Sequence, residues 1–109
     1  MGNAYTNAKK DLTSTSATTL YTAPTLTTSI VKSILVSEDS GNADTITLTL
    51  TDAESSPSTF SLFKTKSISA NATTELLTQP LVLKTGEILK VTAATANRLH
   101  VVASILEIS

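Results

Sequence analysis

One stretch constrains the fold more than any other. Residues 44–52 read Asp-Thr-Ile-Thr-Leu-Thr-Leu-Thr-Asp. Ile46, Leu48 and Leu50 alternate with Thr45, Thr47, Thr49 and Thr51. A period of two puts the large apolar groups on one side of an extended chain and the hydroxyls on the other. At helical spacing the same residues would scatter round the axis, and threonine is a poor helix former but a good strand former. The stretch predicts a strand with one buried face, and hence a sheet that needs a partner layer.

The same grammar recurs along the chain. Strands are expected at residues 18–22, closed by Ala23-Pro24, and at 28–37, where both faces are partly apolar and the strand is central. Another is expected at 59–64, with Phe60 and Leu62 on one face, and a short one near Ile68. Residues 73–78 resume the pattern until Pro80. Residues 81–83 and 87–93 flank Lys84-Thr85-Gly86-Glu87, which reads as a glycine-containing hairpin loop. The final strand covers 98–108. Leu99, Val101, Ala103 and Ile105 share one face, while His100, Val102, Ser104, Leu106 and Ile108 share the other. That second face turns apolar at its far end, which an ordinary solvent face does not need. Eight or nine short strands, about ten residues apart and without a helix, predict an all-β antiparallel β-sandwich or jelly roll, ahead of an up-and-down barrel, which uneven loop lengths and Pro24, Pro57 and Pro80 disfavour.

Residues 1–17 lack any period and hold only Tyr5 and Leu12 as sizeable apolar groups. They are expected to be an extended N-terminal arm, loose unless something ties it down. Residues 18–109 then form a single domain, as a chain of 109 residues suggests.

Composition excludes several classes. Eight Lys+Arg against nine Asp+Glu leave a net charge of -1, which argues against nucleic-acid binding through phosphate charge. The absence of cysteine removes disulfides, thiolate metal sites and thiol chemistry. No apolar run approaches the ~18 residues of a membrane helix, and the opening residues lack the apolar core of a signal peptide. Twenty-seven Leu, Ile and Val residues in periodic runs argue against disorder.

Catalytic candidates are few. His100, the single histidine, sits mid-strand with no nucleophile or carboxylate in a recognisable order, and reads as a half-exposed strand residue. Glu38, Asp39 and Asp44 surround Gly41-Asn42, yet their spacing does not follow a calcium loop, so a solvated turn is expected. Asp52 and Glu54 lie in the next loop, but without tryptophan the stacking surface of a sugar site is missing. Phe60 and Phe63 are assigned to core packing. Thr-rich strand faces serve as solvent faces, because no regular repeat supports an ordered binding lattice. No catalytic, metal or cofactor residue is expected, and the chain is not expected to be an enzyme.

Several segments carry a familiar order of motifs. Leu20-Tyr21-Thr22-Ala23-Pro24 is followed by a strand with Ile30, Val31, Ser33, Ile34, Leu35 and Val36. Asp44 to Leu50 comes next, then Glu75-Leu76-Leu77, Leu81-Val82-Leu83 and Gly86 to Ala93. The chain closes with His100 to Ile108. In this order the chain resembles small structural proteins of tailed bacteriophages, including marine and cyanobacterial phages. The resemblance covers residues 18–109 and implies a non-catalytic β-sandwich present in many copies on a virion. It does not separate head from tail; the role expected here is a capsid decoration (cement) protein on the major capsid protein or other virion proteins, as a symmetric homo-oligomer with a trimer favoured. Its location would be the virion, assembled in the host bacterial cytoplasm. A tail, baseplate or fibre-associated sandwich is the alternative, and a carbohydrate-binding module the second. No nucleic acid and no membrane are expected as partners. Tyr5 and Leu12 of the arm, with Leu106 and Ile108 of the last strand, are the candidate partner-interface residues.

Overall fold

The computed structural model describes residues 2–109. Its elements in chain order are β1 (Asn3–Asp11), β2 (Thr18–Thr22), β3 (Thr28–Glu38), β4 (Asp44–Thr51), β5 (Thr59–Ile68), β6 (Thr73–Glu75), β7 (Leu81–Leu83), β8 (Ile88–Ala93) and β9 (Leu99–Ile108). They form two antiparallel sheets, with no helix among the described residues. The five-stranded sheet runs β1-β9-β3, with β6 and β7 end to end along the far side of β3. The four-stranded sheet runs β2-β8-β4-β5.

Alternation builds the core from both layers, interrupted in β3 by a register break between Val31 and Ser33 that keeps Val31 and Ile34 on the same side. Val31, Ile34 and Val36 of β3 and Leu99, Val101, Ala103 and Ile105 of β9 point inward from one sheet. Ile46 and Leu48 of β4 and Leu89, Val91 and Ala93 of β8 meet them from the other. Burying each large aliphatic side chain contributes roughly 1.5–3 kcal/mol. The β4 threonines are left half-buried on the outer side, as the sequence implies.

The two mouths of the sandwich are closed by carboxylates that also sit on the inward registers of β3 and β9. At one mouth Glu38 faces Leu99 across the ladder and is buried. Its carboxylate accepts the backbone N–H groups of Ser40 (2.8 Å), Gly41 (3.1 Å) and Asn71 (3.0 Å) and the Ser40 hydroxyl. At the other mouth Ser29 pairs with Glu107, and the Tyr21 hydroxyl from the opposite sheet donates to Glu107 and lies 2.7 Å from the Ser29 hydroxyl. Burial, then the Glu107 hydrogen bond, pushes the Tyr21 phenol up to about 12, so it remains a donor at neutral pH.

Four sequence expectations need correction. The segment read as a loose arm is part of the sandwich: Asn3–Asp11 pairs with β9 from Asn3↔Ile108 to Asp11↔His100 without a register shift. Residue 1 of that arm lies outside the described residues. Backbone pairing needs no apolar period, which is why the sequence hides it. Ala8 alone on β1 packs against the core. Second, Lys84 to Glu87 is no hairpin. β7 pairs with β3 while β8 pairs with β2 and β4, so the turn carries the chain from one sheet to the other. Gly86 adopts φ +83°, and a Cβ there would stand 3.0 Å from Cβ of Ala53. Third, residues 59–64 and the strand near Ile68 are one strand, β5, with irregular pairing and Thr65 at φ +48°. Fourth, Phe60 lies exposed on that edge strand, and only Phe63 of the two packs against the core.

Candidate interaction surface

The outward registers of the five-stranded sheet line up apolar side chains across four strands. Val82 of β7 pairs with Ile30 of β3, Ile30 with Leu106 of β9, and Leu106 with Tyr5 of β1. This row is open at both ends, with Val82 55% and Tyr5 77% exposed. Ile108 lies one step along the same face, between Asn3 and Thr28. Towards the other end Leu35 pairs with Val102, and Val102 with Lys9. Leu35, Val102 and Ile108 are each more than a third exposed.

The opposite layer is finished differently. On the outside of the four-stranded sheet Thr47 pairs with Thr92, Thr49 with Lys90 and Ser61, and Thr51 with Thr59. The Thr51 and Thr59 hydroxyls lie 3.0 Å apart. The outside of the four-stranded sheet is therefore mostly hydroxyl-covered, whereas the outside of the other carries an apolar row, set off from Leu35 and Val102 by Ser33, Ser104 and Asn7. Scattered exposed apolar residues are ordinary; a contiguous apolar row across a sheet is the kind of surface that interaction sites use.

Leu26 is a further exposed apolar side chain. It is 85% exposed in the β2–β3 loop, two residues before Thr28, and holds φ +57°. A branched-chain L-residue in the left-handed region is strained. An exposed apolar side chain held in a strained conformation gains nothing for the isolated fold.

The four residues expected at a partner interface divide. Tyr5, Leu106 and Ile108 lie together on the outer face. Leu12 does not: it is 1% exposed and belongs to the core. Its N–H donates to Leu99 O (3.0 Å) and its carbonyl accepts from Asn97 N–H (2.8 Å), which turns the chain inward after β1. Ile30, Leu35, Val82 and Val102 were not singled out from sequence. The two-faced apolarity of β3 held the signal for Ile30 and Leu35. Val82 had none, because its neighbour depends on which sheet β7 joins.

The polar candidates are accounted for by local bonding. His100 is on the outer face, with Nε2 3.2 Å from Asp11 Oδ1 and Nδ1 3.5 Å from Asp39 Oδ2. Both ring nitrogens are engaged by exposed carboxylates, and no nucleophile is bonded to the ring. A shallow hollow of about 270 Å³ lies beside it, lined by Lys9, Lys10, Asp11, Val101 and Val102. The loop acids serve separate partners: Glu38 its own turn, Asp39 the histidine, and Asp44 the N–H of Thr95. No group of three metal-ligating side chains exists among the described residues.

Burial tends to raise the Glu38 pKa, but the Ser40 hydroxyl and the N–H groups of Asn71, Ser40 and Gly41 outweigh it. They hold it at about 2 against an ordinary 4.5. A carboxylate depressed in the folded state contributes stability above its unfolded pKa, and loses it as pH falls towards the folded value. Glu75 is shifted down too: burial opposes, and the Ser33 hydroxyl and the N–H groups of Ile34 and Leu77 prevail. Stability should therefore fall as pH drops from 4.5 to about 2. The Glu38→Gln variant should be less stable at neutral pH and lose less on acidification, as urea midpoints at neutral pH and about pH 3 will measure.

No family model matches the chain, and no curated protein matches it. Among solved structures, a chain in the structure of infectious bursal disease virus Gt strain is similar in layout, with a TM-score of 0.46 and 11% sequence identity. The likeness covers 98% of this chain and 30% of that one, so this chain spans less than a third of its length.

Proposed function

We propose that the protein is a non-enzymatic structural component of a tailed-phage virion, a capsid decoration protein that docks on the major capsid protein. The observation that carries the reading is the contrast between the two outer faces. The row Val82-Ile30-Leu106-Tyr5 leaves apolar area for a partner to cover, while the hydroxyl-rich face suits solvent. The motif order described above favours a virion as the setting. Docking of this kind needs only modest energy per copy, because identical contacts repeated over a shell add up.

Mass spectrometry of purified particles with copy counting tests it. Hundreds of copies are expected; absence from particles overturns the reading, and a dozen or fewer copies move it to the tail or baseplate. A carbohydrate-binding role has less behind it, since Tyr5 is the sole aromatic side chain on the apolar face.

Leu26 gives a sharper check. Replacing it with glycine relieves left-handed strain and should raise stability by up to about 1 kcal/mol, even after the added freedom of the unfolded chain. Particle occupancy should fall in the same variant. A variant that is more stable and still fully occupies particles removes Leu26 from the docking surface.

A further inference from the structure

A sandwich of two open sheets has four edges, and an unprotected edge is a template for another strand. Three of the four are blunted here. β6 and β7 have three residues each, separated by a segment containing Pro80. β2 has five residues, a register break between Thr19 and Tyr21, and Pro24 just beyond its end. β5 is long but has two register breaks, left-handed Thr65, and Lys64 and Lys66. The fourth edge, β1, runs nine residues with no break and no proline.

The direction of its hydrogen bonds follows from its two ends. Gly2 and Ser109 exchange both backbone bonds at 3.1 Å, and Leu12 N–H donates to Leu99 O at 3.0 Å. Along an antiparallel ladder such pairs alternate. The even-numbered residues of β1 therefore bond to β9, and Asn3, Tyr5, Asn7, Lys9 and Asp11 turn their N–H and C=O groups outward. None of these ten backbone groups has a partner among the described residues.

The geometry points to a second copy of this chain as the occupant, joined β1 to β1 in antiparallel register about Asn7. That register pairs Asn3 with the second copy's Asp11, Tyr5 with its Lys9, and Asn7 with its Asn7. Every paired residue is odd-numbered, so outward groups meet outward groups along the whole strand. The even positions fall into place as Ala4 beside Lys10 and Thr6 beside Ala8. No like charges stand opposite, and each Lys9 lies across from a Tyr5 ring, a favourable pairing of cation and aromatic face. Sliding the register to centre on Lys9 or Lys10 would oppose identical lysines and leave part of the strand unpaired.

The product is a two-fold dimer with one continuous ten-stranded sheet, and not the three-fold assembly expected at the outset. The two-fold axis stands perpendicular to the sheet, so both apolar outer faces look the same way and the docking area doubles. The pairing itself does not depend on where the protein works.

Sedimentation or light scattering of the full chain at roughly 100 µM should give twice the mass of one chain. A monomer at that concentration overturns the proposal, including the case in which the edge serves a strand of another protein. Asn7→Lys, which places two ammonium groups beside the axis, and Asn7→Pro, which removes an outward N–H without touching the β9 ladder, should both be monomeric with unchanged far-ultraviolet dichroism. Asn7→Lys remaining dimeric overturns the β1 assignment. Because the chain has no cysteine of its own, Asn7→Cys gives one thiol per copy, close to its mate. A short bismaleimide should couple it efficiently and should not couple Asn42→Cys in the β3–β4 loop. Equal coupling of the two variants excludes this register.

Discussion

Replacing Leu12 with alanine is expected to cost about 2–5 kcal/mol, the range for truncating a fully buried leucine when the neighbours relax only in part. Single domains of this size have about 5–15 kcal/mol of stability in total, so the variant should lie close to unfolding at moderate temperature. The effect should not be uniform. Leu12 is the side chain that anchors the end of β1 in the core, between backbone bonds to Leu99 and Asn97. Amide exchange should quicken first along Asn3–Asp11 and in the partner amides of β9. Thermal melting with exchange by NMR reads both. An unchanged Tm with β1 still protected would show that the segment holds to β9 without its anchor, and would return residues 1–17 to the status of a separable arm.

The second large effect is at Leu48. It is fully buried at the centre of β4, with Val91 of β8 on one side and Phe63 of β5 on the other. Leu48→Ala should again cost about 2–5 kcal/mol, because it leaves a cavity where both sheets contribute walls. For a domain of this size that corresponds to a fall in Tm of roughly 10–30 °C. The neighbouring Thr49→Ala should stay within about 0.5 kcal/mol, since its side chain is on the outer face. The contrast between adjacent residues tests the strand assignment itself. Equal losses at both positions would mean that β4 is not held with one face in and one face out.

The legible parts of the fold share a cause. β4, β8 and β9 each bury one face, so burial imposes a period of two that the sequence must display. The apolar far end of β9 was legible for the same reason: Leu106 and Ile108 break the pattern of a solvent face. β1 was not legible, because its inward positions Ala4, Thr6, Ala8 and Lys10 include no large apolar group, and its place is fixed by backbone bonds to β9. Leu12 was assigned to a partner interface because an isolated leucine in a polar segment gives no sign of the core it reaches. His100 looked isolated in sequence, and its carboxylate neighbours Asp11 and Asp39 arrive from β1 and the β3–β4 loop only through folding.

Local conformation and the buried side of β4, β8 and β9 are legible in short stretches of residues, since alternation and turn residues act over a few neighbouring positions. Composition likewise excludes cysteine chemistry and a strongly charged surface. Folding in three dimensions sets which strands become neighbours. It sent β7 and β8 to different sheets, set β1 against β9, and assembled Val82, Ile30, Leu106 and Tyr5 into one row from four distant segments. Any extended strand can bond to any other through the same backbone groups. The choice among partners is made by packing both sheets around one core, which no short window of sequence contains.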